Sequence, residues 1–468
     1  MNYAKEKPAL LKQKIHTNKN KLAWNTIGES LFIEILPETV TYILNSTGAD
    51  ILQRIITKEC TIKDIFQFMK NQYPKVPPNT ILTDLLELIV QLRELGAVQF
   101  DQSAKTFNSV VYKGIKPQGV ESIKSLTNYL SQISSEYIPL SVHIDLTYRC
   151  NLRCQHCYLE GTQQIGDELS NDEIYKVLED LKTMGTMYVT LSGGEPFLRA
   201  KTLDLIIIAR EMGFRVTTIT NGTLLSRSAL DLLLEKGVGC YISLYGSNAE
   251  IHDTITQVKG SYIATWKTIR YLHDRNGRLG IKTYVMRPNF DNFPKLLTKL
   301  EKLNINYEAS SHLLPKMESS NDIEKVAIPL EQILSQYNTK VIKKLKFMKE
   351  GKQKNIYPCF AGRQQIYISP YGEVHPCVQF PLNCGNIRDS SIKYLWNENA
   401  GLKFLRMLTP DCFPCRSDCN LVCSFCMGLN YSTTGSIFIP YMNECSYAKL
   451  IHRYKEEDNT VRKGGDNL

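Results

Sequence analysis

What this chain lacks bounds it first. No apolar run approaches the roughly 18 residues that a bilayer-crossing helix needs, which excludes a helical membrane span. The Lys-rich start has none of the apolar core of a secretory signal, and the expected location is the cytoplasm. A strong excess of one charge is also missing, because the net charge of +9 is spread along the sequence. No helical stretch is unusually basic, so the surface reads as solvated and no nucleic-acid partner is expected. Nor does any Asp, Glu or His pair stand out as a general base. The composition, 43% hydrophobic and 22% charged, is that of a globular protein, and 468 residues suffice for about two to four domains. Cysteine, by contrast, is plentiful. Fourteen of them without a secretion signal argue for metal rather than disulfides.

The cysteines concentrate in two places. The first is Cys150-Asn-Leu-Arg-Cys154-Gln-His-Cys157-Tyr158, a C-x3-C-x2-C run directly after a strand-like apolar stretch. Thiolates are soft ligands suited to iron–sulfur clusters or zinc. Three of them can hold three irons of a [4Fe–4S] cubane and leave the fourth iron open for chemistry, whereas structural zinc is closed by a fourth ligand. The run resembles the C-x3-C-x-aromatic-C signature of radical S-adenosylmethionine (SAM) enzymes, with His156 in the aromatic slot. That resemblance implies that Cys150, Cys154 and Cys157 hold a cluster and that SAM docks on its open iron beside His156 and Tyr158. One electron would then split SAM into a 5′-deoxyadenosyl radical. A zinc knuckle is the alternative these residues leave open.

From residue 141 onward, strand and helix patterns alternate. Candidate strands cover 142–146, 187–191, 215–220, 240–244, 281–286 and 306–310, and the cleanest helix opens on the capping box Ser170-Asn-Asp-Glu173. Six βα units imply an α/β fold with a parallel sheet, a partial (β/α)6 barrel whose chemistry sits at the strands' C-terminal ends. The second strand runs into Ser192-Gly193-Gly194-Glu195, in which glycines permit close backbone approach and Glu195 supplies an acceptor. This resembles the GGE motif that contacts the SAM amino group in the radical SAM family. By the same resemblance Ser243, on the fourth strand, is the polar residue that meets the SAM ribose or carboxylate. Asn221 is a further SAM-site candidate, with a turn role before Gly222 as its alternative. Alternation turns Tyr241, Ser243 and Tyr245 inward and Cys240 outward, which makes Cys240 a core residue.

The second place is the C-terminal region. Cys359 precedes Gly372-x4-Cys377, and Cys412, Cys415, Cys419, Cys423, Cys426 and Cys445 follow. This resembles the SPASM domain, which binds two auxiliary [4Fe–4S] clusters. The first half fits the pattern; the middle holds five cysteines where four are usual, with Cys419 the surplus candidate. The resemblance implies one cluster on Cys412, Cys415, Cys423 and Cys445, and another on Cys359, Cys377 and Cys426. Cys384 is a ligand or a bystander, and zinc is again the alternative.

The first hundred residues show two strand-like runs, 31–36 and 40–44, then three helical patterns and a closing strand at 97–100. The order, with the phrase Leu44-Asn-Ser-Thr-Gly48, resembles the winged-helix-like PqqD elements of peptide maturases, where a leader peptide adds a strand to a sheet edge. The expected division is a recognition element at 1–105, a linker with some helix at 106–140, the radical SAM core at 141–345 and SPASM at 346–468. Within the family, the nearest group is the subtilosin-type (sactipeptide) thioether-forming maturases. That likeness implies a precursor peptide bound through its leader and Cys sulfur-to-α-carbon cross-links. It also implies SAM, three [4Fe–4S] clusters and an external one-electron reductant such as flavodoxin or ferredoxin. Peptide epimerases, other carbon–carbon or carbon–sulfur cross-linking maturases and sulfatase-maturing enzymes share the architecture, and an iron–sulfur electron carrier is the non-enzymatic alternative.

Overall fold

A computed structural model of the chain describes residues 11–38, 40–100, 120–123, 125, 126, 129, 130, 137–159, 167–311, 313, 323–342, 344, 345, 359–409, 412, 413, 426–441, 445, 446, 448–450, 452 and 453. The N-terminal part contains β1 (Lys14–Thr17), β2 (Leu22–Ile27), β3 (Ser30–Ile35), β4 (Thr41–Leu44), α1 (Ser46–Thr57), β5 (Cys60–Thr61), α2 (Ile62–Gln72), α3 (Pro78–Glu94) and β6 (Val98–Phe100). Its helices start where side chains can satisfy their free amides. Asn45 accepts from the Gly48 N–H at 2.9 Å, and Thr61 forms a capping box with Asp64. Ile51, Leu52, Ile55, Ile62, Ile65 and Met69 then bury against Leu85 and Ile89 of α3.

Besides adding β1 and β5, the strands depart from the sequence expectation in two ways. β2 pairs with β3 through a tight turn at Gly28, although Asn25 and Thr26 break its apolar pattern. Residues 120–123, which read as weakly helical, form β7 (Val120–Ile123) on the edge of β4, giving the sheet order β2-β3-β4-β7.

The core follows as β8 (Ser141–Asp145), α4 (Asn171–Thr183), β9 (Tyr188–Ser192), α5 (Thr202–Glu211), β10 (Arg215–Thr220), α6 (Arg227–Glu235), β11 (Gly239–Ser243), α7 (Ala249–Thr256), α8 (Ser261–His273), β12 (Leu279–Tyr284), α9 (Phe293–Lys302) and β13 (Asn306–Ser310). The six strands are parallel and neighbours in chain order, as six βα units require. Two later strands extend the sheet: β14 (Gln365–Ile368) lies parallel beside β8, and β15 (Val374–His375) pairs antiparallel with β14. The C-terminal region thus completes the barrel's open edge. Val142, Ile144, Val189, Leu191, Val216 and Ile242 pack outward on the helices. Alternation turns His143, Asp145, Thr190, Ser192 and Lys282 to the inner face. Cys240 is buried among the helix-side residues, and burial pushes its thiol up to about 11.

The N-terminal domain docks on the barrel end where the strands begin, opposite the cysteine loop. Trp24 donates its N–H to the Gly213 carbonyl at 2.9 Å. Glu34 pairs with Arg215 at 2.5 Å and accepts from the Tyr188 hydroxyl at 2.6 Å, both from residues that open core strands. Asn25 is polar for this reason: its amide donates to the carbonyls of Lys182 and Thr186. Lys182 donates to the Trp24 carbonyl, and burial, assisted by Arg210, lowers its pKa from 10.5 to about 7. The unfolded chain therefore holds this proton between about pH 7 and 10 when the folded chain does not, so stability rises with pH across that window. Lys182→Met is expected to raise the melting temperature near pH 7, by roughly 2–4 °C per kcal/mol of relieved burial cost. It also flattens the rise towards pH 10, which thermal scans across the window would read.

Candidate active site

β8 delivers the chain into the cysteine loop, which is held from below by α7. The N–H groups of Arg153 and Gln155 donate to the carbonyls of Thr256 and Ile255, both at 3.0 Å, using acceptors at the helix's free end. The Cys157 N–H closes a turn on the Cys154 carbonyl at 3.0 Å. Cys150 is exposed, and Cys154 and Cys157 are half-buried. Burial pushes the Cys154 thiol up, and the closeness of Cys157 and Cys150 adds to the effect. Three soft sulfurs that feel one another on a half-open loop fit a three-cysteine iron–sulfur cluster, whose positive charge would turn the thiols into thiolates.

The Ser192–Glu195 turn follows β9 and braces this loop. Gly194 N–H donates to the Thr147 carbonyl at 2.7 Å and Glu195 N–H to the Arg149 carbonyl at 2.9 Å. The two glycines serve this close approach: a Cβ on Gly193 would stand 2.1 Å from the Thr147 oxygen, and one on Gly194 2.3 Å from the Arg149 oxygen. Ser192 is buried. Glu195 is fully buried, and its carboxylate accepts from the Thr220 hydroxyl and the Asn221 N–H at 2.8 Å and from the Phe197 N–H at 3.2 Å. Burial raises its pKa against the lowering effect of those donors. Glu195 thus spends its oxygens inside the protein, tying the ends of β9 and β10 together.

Asn221 makes the turn that its place before Gly222 suggests, and it also reaches the cysteine loop. Its Oδ1 accepts from the Thr223 N–H at 2.9 Å, a turn bond, while its Nδ2 donates to Asn151 Oδ1 at 2.8 Å and approaches Cys150 Sγ at 3.9 Å. Ser243 is half-buried and hydrogen-bonded to the Tyr245 side chain. Tyr245 meets His156 edge-on at 4.5 Å between ring centres, with Tyr284 at 5.7 Å on His156. Burial lowers the His156 pKa to about 4, so the imidazole is neutral, and its buried Nδ1 has no hydrogen-bond partner among the described residues. An unsatisfied buried nitrogen carries a free-energy cost that a ligand can remove. Tyr158 lies close to Asp145, Cys157 and Tyr148, and burial raises its pKa well above 10.0.

In the C-terminal region, Cys359, Cys377 and Cys426 come together: burial pushes the Cys377 thiol up, and both other thiols contribute. Cys426 caps the helix Met427–Thr434, its Sγ accepting from the Leu429 N–H. Cys412 accepts from the Thr409 N–H at 3.4 Å, and Cys445 is half-buried. Cys415, Cys419 and Cys423 lie outside the described residues. Cys384 is fully buried in the barrel's helix-side core, and burial pushes its thiol up to about 12, so it is a packing residue.

One constellation escaped the sequence reading. His143 Nε2 lies 3.0 Å from Asp145 Oδ1, while the Tyr367 hydroxyl donates to Asp145 Oδ2 at 2.9 Å and shares a 2.8 Å bond with the Tyr148 hydroxyl. The signal available was the H-x-D alternation on a strand; the tyrosine comes from β14, more than 200 residues away.

Residues 144–300 match the family model of the radical SAM superfamily. The protein is a radical SAM enzyme. Residues 359–424 match the iron–sulfur cluster-binding SPASM domain and residues 35–98 the PqqD family, coenzyme PQQ synthesis protein D. The enzyme therefore uses SAM and iron–sulfur clusters, as the cysteine sets expect. It is 29% identical over 327 residues to the antilisterial bacteriocin subtilosin biosynthesis protein AlbA of Bacillus subtilis, covering 68% of this chain and 73% of that protein. It is 26% identical to an AdoMet-dependent heme synthase of Methanosarcina barkeri, over 66% and 96% of the two chains. Streptococcus suis SuiB, solved with its precursor peptide SuiA, shares the fold with a TM-score of 0.52 at 14% identity, over 84% of this chain and 91% of SuiB. Among the described residues no helix is long and apolar enough to cross a membrane.

Proposed function

We propose that this radical SAM enzyme modifies a ribosomally made precursor peptide by joining a Cys sulfur to the α-carbon of another residue. The observation that carries this reading is the union in one chain of PqqD, radical SAM and SPASM segments with similarity to a subtilosin maturase. The heme synthase relatives suggest a tetrapyrrole instead, and the PqqD segment favours the peptide.

In this reading Cys150, Cys154 and Cys157 hold the SAM-binding cluster, and Ser192, Gly193, Gly194, Glu195, Asn221, Ser243, His156 and Tyr158 surround SAM. His156 Nδ1 is the atom that most needs such a partner. Two further clusters divide Cys359, Cys377 and Cys426 from Cys412, Cys415, Cys423 and Cys445, and an external flavodoxin or ferredoxin supplies the electron. Bound SAM supplies a carbon radical; the chain's own task is to orient the peptide and dispose of the second hydrogen as a proton and an electron. The domain boundaries 1–105, 106–140, 141–345 and 346–468 serve this division of labour.

The leader binds the N-terminal element. Its β4 edge is already paired with β7, so a leader strand adds outside β7 or takes its place. The element sits at the barrel end away from the cysteine loop, and holding the leader there keeps the core peptide at high local concentration. Co-expression with a Cys-containing precursor is expected to remove the mass of two hydrogens per cross-link, with tandem mass spectrometry locating the bond. Unchanged mass with inverted stereocentres would mean an epimerase and would sink the thioether reading.

A further inference from the structure

We infer that His143, oriented by Asp145, is the base that receives the substrate thiol's proton, an inference that rests on the thioether reading above. His143 and Asp145 stand on consecutive inward positions of β8, with Asp145 at the strand's C-terminal end just before the cysteine loop. The Asp145 side chain is fully buried, and that of His143 is 15% exposed, enough to meet something inside the barrel.

Both Asp145 oxygens are engaged, one by the Tyr367 hydroxyl and the other by His143 Nε2. With Nε2 donating to Asp145 Oδ1, the tautomer that the pair of oxygens can accept from, Nδ1 keeps the lone pair. Among the described residues Nδ1 has no hydrogen-bond partner. A carboxylate behind an imidazole fixes its tautomer and steadies the cation formed on protonation. The Tyr148 hydroxyl backs Tyr367, which locks the pair from the C-terminal strand. Tyr158 links the group to the cysteine loop, since Asp145 and Cys157 both act on it.

The chemistry balances with this assignment. The α-carbon gives one hydrogen atom to the 5′-deoxyadenosyl carbon. The thiol gives its proton to His143 Nδ1, the sulfur bonds to the α-carbon, and the remaining electron goes to an oxidised iron–sulfur cluster of the SPASM domain. One C–H and one S–H bond are lost, one C–S bond is made, and no other oxidant is needed. The titratable groups against His143 are Asp145 on its own strand and Tyr367 on β14; His375 and Glu373 lie behind Tyr367, Tyr148 bonds to Tyr367, and Tyr158 lies close to Asp145, while β9 offers Thr190.

The test compares wild-type holoenzyme with His143→Ala on a Cys-containing precursor, counting cross-links per 5′-deoxyadenosine. The ratio is expected to fall about 100-fold or more. The wild-type rise of cross-linking with pH is expected to vanish in the variant, and added imidazole to restore part of the yield. An unchanged ratio and pH profile would overturn the inference. If His143→Ala fails to load its clusters, Tyr367→Phe serves: it removes one hydrogen bond from Asp145, makes that carboxylate hold a cationic imidazole better, and moves the rise to higher pH. A rise that stays in place overturns the inference equally. Failure of the parent reading looks different, because the wild-type enzyme then forms no Cys cross-link and both ideas fall.

Discussion

Gly194→Ala yields a protein that has lost the iron of its cysteine loop and forms no 5′-deoxyadenosine from SAM. The added methyl would lie 2.3 Å from the Arg149 carbonyl oxygen and 2.6 Å from that of Tyr148, and real Cβ atoms essentially never come within 3.0 Å of such atoms. Neither obstacle is a side chain that can swing away. The backbone of residues 147–149 must move, and with it the bonds from Gly194 to Thr147 and from Glu195 to Arg149. Each buried group left unpaired costs about 1–3 kcal/mol, but the larger effect is positional, since Cys150 follows Arg149 directly. Iron analysis is expected to show a loss of about four atoms, the content of one cubane, with the iron of the C-terminal cysteines retained. Gly260→Ala is the comparison: its φ of +88° puts the new side chain in a left-handed conformation that Gly194 does not have, yet the methyl enters open space, and the variant keeps its full iron. A Gly194→Ala protein with wild-type iron and SAM cleavage would show that the turn does not brace the loop.

The parts legible in the sequence were those with local causes. Ser170 and Glu173 announce α4 because both partners of the capping box lie within one turn. The order of the six core strands followed from the βα alternation, which permits few topologies. The three loop cysteines could be grouped because three residues at most separate them. Where the cause is distant, the sequence was silent or misleading. Asn25 and Thr26 obscured β2 because Asn25 faces Lys182 and Thr186, more than 150 residues on. β7 read as helical because a four-residue strand carries little periodicity, and its partner is β4. Nothing near Glu195 announced that Thr220 and Asn221, from the end of β10, would donate to its carboxylate. His143 and Asp145 were passed over because a base needs an orienting partner, and Tyr367 arrives from another domain.

Arg210→Met is expected to undock the N-terminal domain, and the contrast with Lys182→Met shows why. Both cations lie buried at the same interface and both have lowered pKa values, chiefly through burial. Lys182 satisfies one carbonyl there, so removing it relieves more desolvation than it sacrifices in bonding. Arg210 is 1% exposed and donates to five carbonyls: Lys236 at 2.7 Å, Phe214, and then Lys19, Asn20 and Leu22 at 3.1 to 3.2 Å. Three of these belong to the N-terminal domain, and the bonds to Phe214 and Leu22 are fully buried. A methionine fills the volume but leaves those oxygens without donors, at about 1–3 kcal/mol for each that stays buried. That total is comparable with what holds two domains together, whereas the relieved charge burial offsets only part of it. Hydrogen exchange is expected to accelerate across residues 19–27, and cross-linking per 5′-deoxyadenosine to fall, because a leader held by a loose domain no longer concentrates its core at the barrel mouth. Deleting residues 1–105 outright would expose the same carbonyl-binding arginine and the Arg215 that pairs with Glu34, so the point substitution is the cleaner probe of tethering. Protection of residues 19–27 equal to that of the wild type would sink the claim that Arg210 fastens the two domains.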